Sequence, residues 1–339
     1  MVLDAQSLGT EEGGVVTRIL IVKMSSMGDQ FHALPTVRAL KKGLDARIDW
    51  VTQPEYEGLV RCFDDVENIF TFPRRNLRTQ LVPFFHELRK QQYDYVIDLQ
   101  GLMKSAIVAA VAKGKRKIGP SATREGAQLF YKEHAGKKNK ERHAADELLD
   151  VVHHLGLPVP EEPVFPVTFP EHPGFGPGMH IAICPCSRAK GKDWPAERFA
   201  ETAKNLLAQH PDAMFHLVGS PADHETCDRI ATAIGPAAQN HAGQTSLLEL
   251  GGLLKQMGLL ITVDSGPMHM AAAIGTPTLA LFGPTSPLRT GPYGKQHRVI
   301  ESSFNPGKKK ISKKTRQTDM RYIEAISVEE VATQARAML

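Results

Sequence analysis

Apolar positions along this chain follow two rhythms. Short β-branched runs alternate with longer stretches in which apolar residues recur every three to four positions, the pattern of strands alternating with helices. Residues 18–23 (RILIVK) predict a buried strand that ends in a Ser/Gly loop, and an apolar-periodic helix follows over 31–42. A strand over 48–52, a short helix, a strand over 68–72 and a helix over 77–90 come next, then a strand over 95–99 and a helix over 103–112. Residues 157–180 hold seven of the 23 prolines. Proline fixes φ and removes a donor, so regular structure is not expected there. The alternation then restarts, with strands over 179–184, 213–218, 259–263 and 277–282. Helices are expected over 196–209, 223–233, 246–256 and 266–274. Ser327 followed by Glu330 has the spacing of a capping box that opens a terminal helix. The fold class is α/β, two Rossmann-like doubly wound parallel-sheet domains with an interdomain cleft. The expected organisation is a disordered leader (1–16), an N-terminal domain (17–156), a proline-rich linker (157–178), a C-terminal domain (179–326) and a terminal helix (327–339).

Length agrees with two domains: 339 residues at roughly 100–200 per domain. No apolar run approaches the roughly 18 residues that cross a bilayer. The first residues (MVLDAQSLGTEEGGVV) lack the basic segment of a secretory signal. The four cysteines (Cys62, Cys184, Cys186, Cys227) have no metal-ligand spacing and suit a reducing cytosol. The net charge of +4 hides an uneven distribution. Residues 113–142 carry ten Lys/Arg against three acids, and residues 302–321 carry seven against one. The rest is acidic. The two basic segments read either as solvated loops or as one surface for a polyanion or an anionic membrane.

Two strand-to-helix junctions carry candidate chemistry. In the first, KMSSMGD (23–29), Gly28 allows close approach of a ligand and Asp29 is either a helix N-cap or a general base facing the cleft. The junction has neither a G-x-G-x-x-G nor a Walker pattern, so nothing supports a dinucleotide or P-loop site. In the second, VDSGPMH (263–269), Pro267 suits a first helical turn, Ser265 is a good cap, and the helix N-terminus favours an anion. Asp264 can orient that site, and His269 is either a packed helix residue or a ligand contact. Ser187, Arg188 and Lys192 follow a predicted strand and offer donors to phosphate, the alternative being an ordinary basic loop. Glu225, after the strand over 213–218, can accept from ribose hydroxyls or stand as an exposed helix residue. No D-x-D metal clamp and no zinc-type cluster occur.

Taken in order, KMSSMGDQFHALP, DLQGLMKSA, TREGAQLFY, KDWP and VDSGPMHMAAAIGTPTLALFGPT resemble the bacterial lipopolysaccharide heptosyltransferases of glycosyltransferase family 9, of the heptosyltransferase I type, over residues 17–335. The resemblance implies a GT-B fold, with an ADP-heptose donor on the C-terminal domain and a Kdo–lipid A acceptor on the N-terminal one. It implies inverting transfer without a cofactor or essential metal, by a cytoplasmic protein in peripheral contact with the anionic inner membrane. No nucleic-acid partner is expected. It matches Asp29 to the catalytic base, and Lys192, Glu225, Asp264, Ser265, Gly266 and His269 to donor-binding positions. Lys192 would also stabilise the leaving diphosphate. Ser187 and Arg188 fall where the family has small hydroxylated or glycine residues around the phosphates, Arg188 being a departure, and Thr245 falls at another donor position with a different side chain. Lys104 and Arg124 match acceptor-side basic residues, with Arg74 and Arg75 in a basic loop nearby. A relative with another nucleotide sugar or acceptor, or a non-catalytic nucleotide-binding module, are the alternatives.

Overall fold

The computed structural model describes residues 16–137, 139, 141–305, 312 and 318–339. Nearly all of the expected leader, and most of the second basic segment, lie outside the described residues.

In the first half, β1 (Thr17–Val22) leads to α1 (Met27–Leu44), β2 (Ala46–Thr52), α2 (Glu57–Val60), β3 (Val66–Thr71) and α3 (Leu77–Leu88). Next come β4 (Tyr93–Asp98), α4 (Met103–Val111), β5 (Gly114–Pro120), β6 (Glu133–Ala135), α5 (Ala144–Leu148) and α6 (Asp150–His154). The second half has β7 (His180–Cys184), α7 (Ala196–Leu207), β8 (Met214–Leu217), α8 (His224–Ile234) and β9 (Ala238–Asn240). It continues with α9 (Leu247–Lys255), β10 (Leu259–Val263), α10 (Gly266–Ala273), β11 (Thr278–Phe282), α11 (Pro287–Thr290) and β12 (Arg298–Glu301).

Each half is a six-stranded sheet, ordered β3-β2-β1-β4-β5-β6 and β12-β11-β10-β7-β8-β9. All pairings are parallel. The strand order reverses between β1 and β4 in one sheet and between β7 and β10 in the other. Ligands of doubly wound sheets bind at such switch points, beyond the carboxyl ends of the strands.

The central strands carry mostly apolar side chains because both faces are covered. On β1, Ile19 and Ile21 join a core that runs through Phe31 and Leu34 of α1 and Phe169 of the linker to Leu253 of α9 and Met270 of α10. Leu20 and Val22 point the other way, into the layer made by Phe84 and Leu88 of α3 and Ala106 and Val108 of α4. Burying one such side chain fully contributes about 1.5–3 kcal/mol. The two halves therefore share apolar core across the cleft floor.

Several elements differ from expectation. No strand was expected over β5, β6, β9 or β12. Their sequences (GKRKIGP, EHA, AQN, RVIE) are short or charged and are held by backbone pairing to a stronger neighbour. Helix α1 begins four residues earlier than its apolar period, at Met27, because Ser26 and Asp29 cap it. Residues 157–178 form neither helix nor strand apart from one antiparallel bridge, Phe63 to Val167. The terminal helix Val328–Arg336 opens as expected, with Ser327 Oγ accepting from the Glu330 N–H, and packs on α7.

Candidate active site

The loop after β1 is fixed from three sides. Gln100 Oε1 accepts from the N–H groups of Met24 and Ser25, both at 3.0 Å. Lys23, buried at the end of β1, donates from Nζ to Leu99 O at 2.7 Å, and Trp50 Nε1 donates to Lys23 O at 2.9 Å. Asp98 in turn holds the N–H groups of Gln100 (2.6 Å) and Gly101 (3.0 Å) and the Tyr131 hydroxyl. The D-L-Q-G segment thus shapes the K-M-S-S-M-G-D segment, and the two meet at the β1/β4 switch point.

Asp29 is not the N-cap. That place belongs to Ser26, and Asp29 stands at the third position of the helix. Its Oδ2 accepts from both N and Oγ of Ser26 at 2.8 Å. Its side chain remains 43% exposed, so an oxygen stays open to the cleft. Burial opposes ionisation of Asp29. The Lys23 ammonium, the two Ser26 donors and His269 outweigh it and hold the carboxyl below its usual value.

Across the cleft, β10 runs into α10. Ser265 sits at the N-cap with extended backbone, but its hydroxyl does not cap the helix. It lies 3.1 Å from Thr262 Oγ1 and 3.7 Å from Cys184 Sγ. The first-turn N–H groups therefore have no side-chain cap among the described residues, the arrangement that favours an anion. Asp264 stands beside them and accepts from Lys192 Nζ at 2.8 Å and Thr285 Oγ1 at 2.7 Å. Burial lowers His269 to about 4, against the pull of Asp264 and Asp29, so its imidazole is neutral.

The two helix N-termini touch. A Cβ on Gly28 would lie 2.3 Å from His269 Cδ2, and one on Gly266 would lie 2.5 Å from Met27 Sδ. Both glycines are required by close approach, not by backbone angle. Asp29, His269, Gly266, Ser265, Asp264 and Lys192 thus form one cluster contributed by both domains. Polar contacts close its flank. Arg289 of α11 pairs with Glu147 of α5, Tyr293 Oη donates to Asp146 Oδ1 at 2.7 Å, and His143 Nε2 lies 3.0 Å from Gly291 O.

The other expected site residues sit apart from this cluster. Ser187 is turned into its own loop, its Oγ donating to Ala189 O at 2.9 Å and its N–H to Asp193 at 2.7 Å. Arg188 donates to Tyr56 Oη at 2.8 Å and so links the domains. Glu225 is exposed in the first turn of α8, and Thr245 is half-buried just before the N-cap of α9. Both follow strands of the C-terminal sheet at its far side. Lys104 is half-buried in the first turn of α4, and burial together with the nearby Arg74 lowers its pKa. Arg74 pairs with Glu55, while Arg75 and Arg124 are exposed. Lys104 opens α4 and the other three lie on loops beyond β3 and β5, on the N-terminal rim.

Sequence reasoning assigns no role to Lys23, His32, His143 or Arg289, and Thr285 reads only as part of a turn that shapes a nucleotide pocket. For two of them a signal existed. Lys23 ends an otherwise apolar strand, and His32 lies three residues after Asp29, on the same side of a helix.

A family model, glycosyltransferase family 9 (heptosyltransferase), matches residues 81–320. The chain is 25% identical over 305 residues to lipopolysaccharide core heptosyltransferase OpsX of Haemophilus influenzae, with 87% of each chain covered. It is 29% identical over 304 residues to lipopolysaccharide heptosyltransferase 1 of Escherichia coli K12, covering 84% of this chain and 93% of that one. Its fold matches the structure of E. coli heptosyltransferase WaaC with ADP-2-deoxy-2-fluoro heptose at a TM-score of 0.78 and 24% identity, over 95% of this chain and all of the other. That neighbour gives the paired sheets their class, GT-B.

Proposed function

The chain belongs to glycosyltransferase family 9, the heptosyltransferases, and from that premise we propose that it moves heptose from ADP-heptose to a Kdo residue of lipid A–Kdo in lipopolysaccharide inner-core synthesis. The observation that carries the reading is the cluster at the two switch points. A base candidate, Asp29, adjoins His269 of the uncapped helix α10, and Asp264 holds the Lys192 cation beside that helix N-terminus. The named relatives act in lipopolysaccharide synthesis, and the solved neighbour holds an ADP-heptose analogue.

The transfer is a single displacement with inversion. Asp29 takes the proton of the attacking Kdo hydroxyl as its oxygen bonds to the anomeric carbon, and the bond to the diphosphate breaks with its electron pair leaving on ADP. Lys192 and the first N–H groups of α10 stabilise the charge that develops there, a task a divalent metal performs in other transferases. Ser187, Arg188, Glu225 and Thr245 complete the donor side. A panel of ADP-, UDP- and GDP-sugars with a Kdo–lipid acceptor tests the reading. Acceptor-dependent nucleotide release from ADP-heptose alone is expected, and release from a UDP- or GDP-sugar instead would overturn the donor. Excess EDTA is expected to leave the rate unchanged. Loss with EDTA and recovery with magnesium would show that Lys192 does not suffice.

The acceptor side is the rim carrying Lys104, Arg124, Arg74 and Arg75. It suits a substrate with carboxylates and phosphates in the cytoplasmic face of the inner membrane, which the enzyme contacts peripherally. None of the described helices is long and apolar enough to cross a membrane. Neutralising Lys104 and Arg124 together (Lys104→Gln, Arg124→Gln) is expected to raise the acceptor KM about two- to thirtyfold, since each such ion pair contributes about 0.2–1 kcal/mol. The donor KM should move less. The effect should shrink with salt, because the screening length falls from about 10 Å at 0.1 M to about 3 Å at 1 M. Kinetics at two salt concentrations check this, and a rise in donor KM alone would put the acceptor on the wrong rim.

A further inference from the structure

His32 lies on α1 beside Asp29 and has no part in the mechanism above. It is 4% exposed. Its Nε2 is 3.1 Å from Nδ1 of His269 on the other domain, and the rings meet edge-on with centroids 4.6 Å apart. Among the described residues its Nδ1, which is buried, has no hydrogen-bond partner, and it lies 4.0 Å from Oδ1 of Asp29. A buried polar atom without a partner is rare and calls for a reason.

The groups around the ring supply one. Asp29 lies 4.0 Å from it, and the charges of His269, His143, Lys23 and Arg289 act on it. Burial, then repulsion from His269, His143, Lys23 and Arg289, keeps the imidazole neutral well below its usual pKa. A neutral imidazole carries one proton. Placed on Nε2, that proton binds Nδ1 of His269, and the single proton of His269 is then on Nε2. That atom borders Gly28 at the junction of the two helices, 2.8 Å from where a Gly28 Cβ would stand. His32 Nδ1 is left as a lone pair facing Asp29. A carboxylate offers the lone pair no donor; a carboxylic acid does, once the 4.0 Å gap closes by about 1 Å.

Resting on the reading of Asp29 as the base, we propose that His32 is a positioning residue of the transfer. Its Nδ1 receives the proton that Asp29 has taken, and its Nε2–H keeps the Nε2–H of His269 toward the leaving diphosphate. The balance closes. The acceptor O–H breaks as an O–H forms on Asp29, and that bond breaks as N–H forms on His32 Nδ1. The Nε2 proton of His32 passes to His269 Nδ1, and the Nε2 proton of His269 passes to a phosphate oxygen of departing ADP. Asp29 is left ionised, and both imidazoles, now in the other tautomer, reset by exchange with water when the cleft opens. A hydrogen bond made only after Asp29 gains its proton favours the transition state over the ground state.

His32→Gln separates this from a packing role, since glutamine retains a group near Nε2 for His269 but none near Nδ1. We expect kcat to fall about tenfold, with the ADP-heptose KM within about threefold. His32→Phe, which removes both groups, should also raise that KM. A kcat for His32→Gln within about twofold of wild type, or a loss confined to KM, overturns the relay. Nitrogen-15 NMR of histidine-labelled wild type judges it independently: His32 should be protonated at Nε2 and bare at Nδ1 at neutral pH, and the opposite tautomer or an imidazolium refutes it. If wild type transfers nothing from ADP-heptose, the functional reading fails, while the NMR result still decides the tautomer.

Discussion

Asp29→Ala is expected to lower kcat by roughly 10²–10⁴-fold, the usual cost of losing a general base, while the Kd for ADP stays within about threefold. The donor motifs lie on the other domain, so binding should survive. Asp29 has a second role, because its carboxylate accepts from Ser26 N and Oγ in the first turn of α1. Alanine removes that cap as well, at a cost of about 1 kcal/mol. Asp29→Asn separates the two roles: the amide oxygen can still accept from Ser26, but the basic oxygen is gone. Both variants should therefore lose turnover; asparagine loses only the stability that the charge contributes, and alanine should melt lower still. The charge state fits. A carboxyl held below its usual pKa is ionised at neutral pH, so the acid limb of kcat should fall at lower pH than for an ordinary aspartate. The same depression adds stability that is complete above the unfolded value near 3.8 and is lost as pH falls through the folded one. Wild-type turnover in Asp29→Asn would return the residue to a capping role alone.

The sheets were legible because their central strands carry dense apolar runs. Residues 259–263 are bounded identically in sequence and structure, since LLITV is buried on both faces between β7 and β11. The strands that escaped notice, such as GKRKIGP at β5, owe their place to a neighbour's backbone rather than to their own side chains. Local patterning cannot report such a debt. The site divides the same way. Asp29 and Asp264 are legible because each ends a strand-to-helix junction with the right chemistry. The Arg188–Tyr56 bond is not, since its residues lie 132 positions apart. The meeting of His32 with His269 spans 237 positions and depends on how two domains face one another. Ser265 was misjudged for a subtler reason. It holds the N-cap position its identity predicts, but Thr262, three residues back, draws its hydroxyl away and leaves the helix end open.

Lys192→Ala is expected to weaken ADP binding about 10- to 100-fold, because a hydrogen bond between charged groups contributes about 1.5–3 kcal/mol. Turnover should fall further, since the ammonium gains most as the diphosphate takes up charge. Lys192 does not wait as a free cation: its Nζ is 2.8 Å from Asp264 Oδ2, with side chains 22% and 10% exposed. The pair keeps the ammonium beside the α10 N-terminus, and the incoming diphosphate competes with Asp264 for it. Among the described residues, removing Lys192 leaves the Asp264 carboxylate with Thr285 as its remaining bonded side chain. A negative charge then faces the diphosphate unscreened. Some of the lost affinity in Lys192→Ala is therefore repulsion by Asp264, and Lys192→Ala/Asp264→Asn should regain part of the binding and none of the turnover. Lys192→Arg should bind ADP better than alanine but turn over below wild type, because a planar guanidinium does not replace a compact ammonium at one point. Calorimetry with ADP and steady-state rates across the four proteins check the scheme. Wild-type affinity and rate in Lys192→Ala would leave the α10 N-terminus alone to hold the diphosphate, and Lys192 as no more than a partner of Asp264.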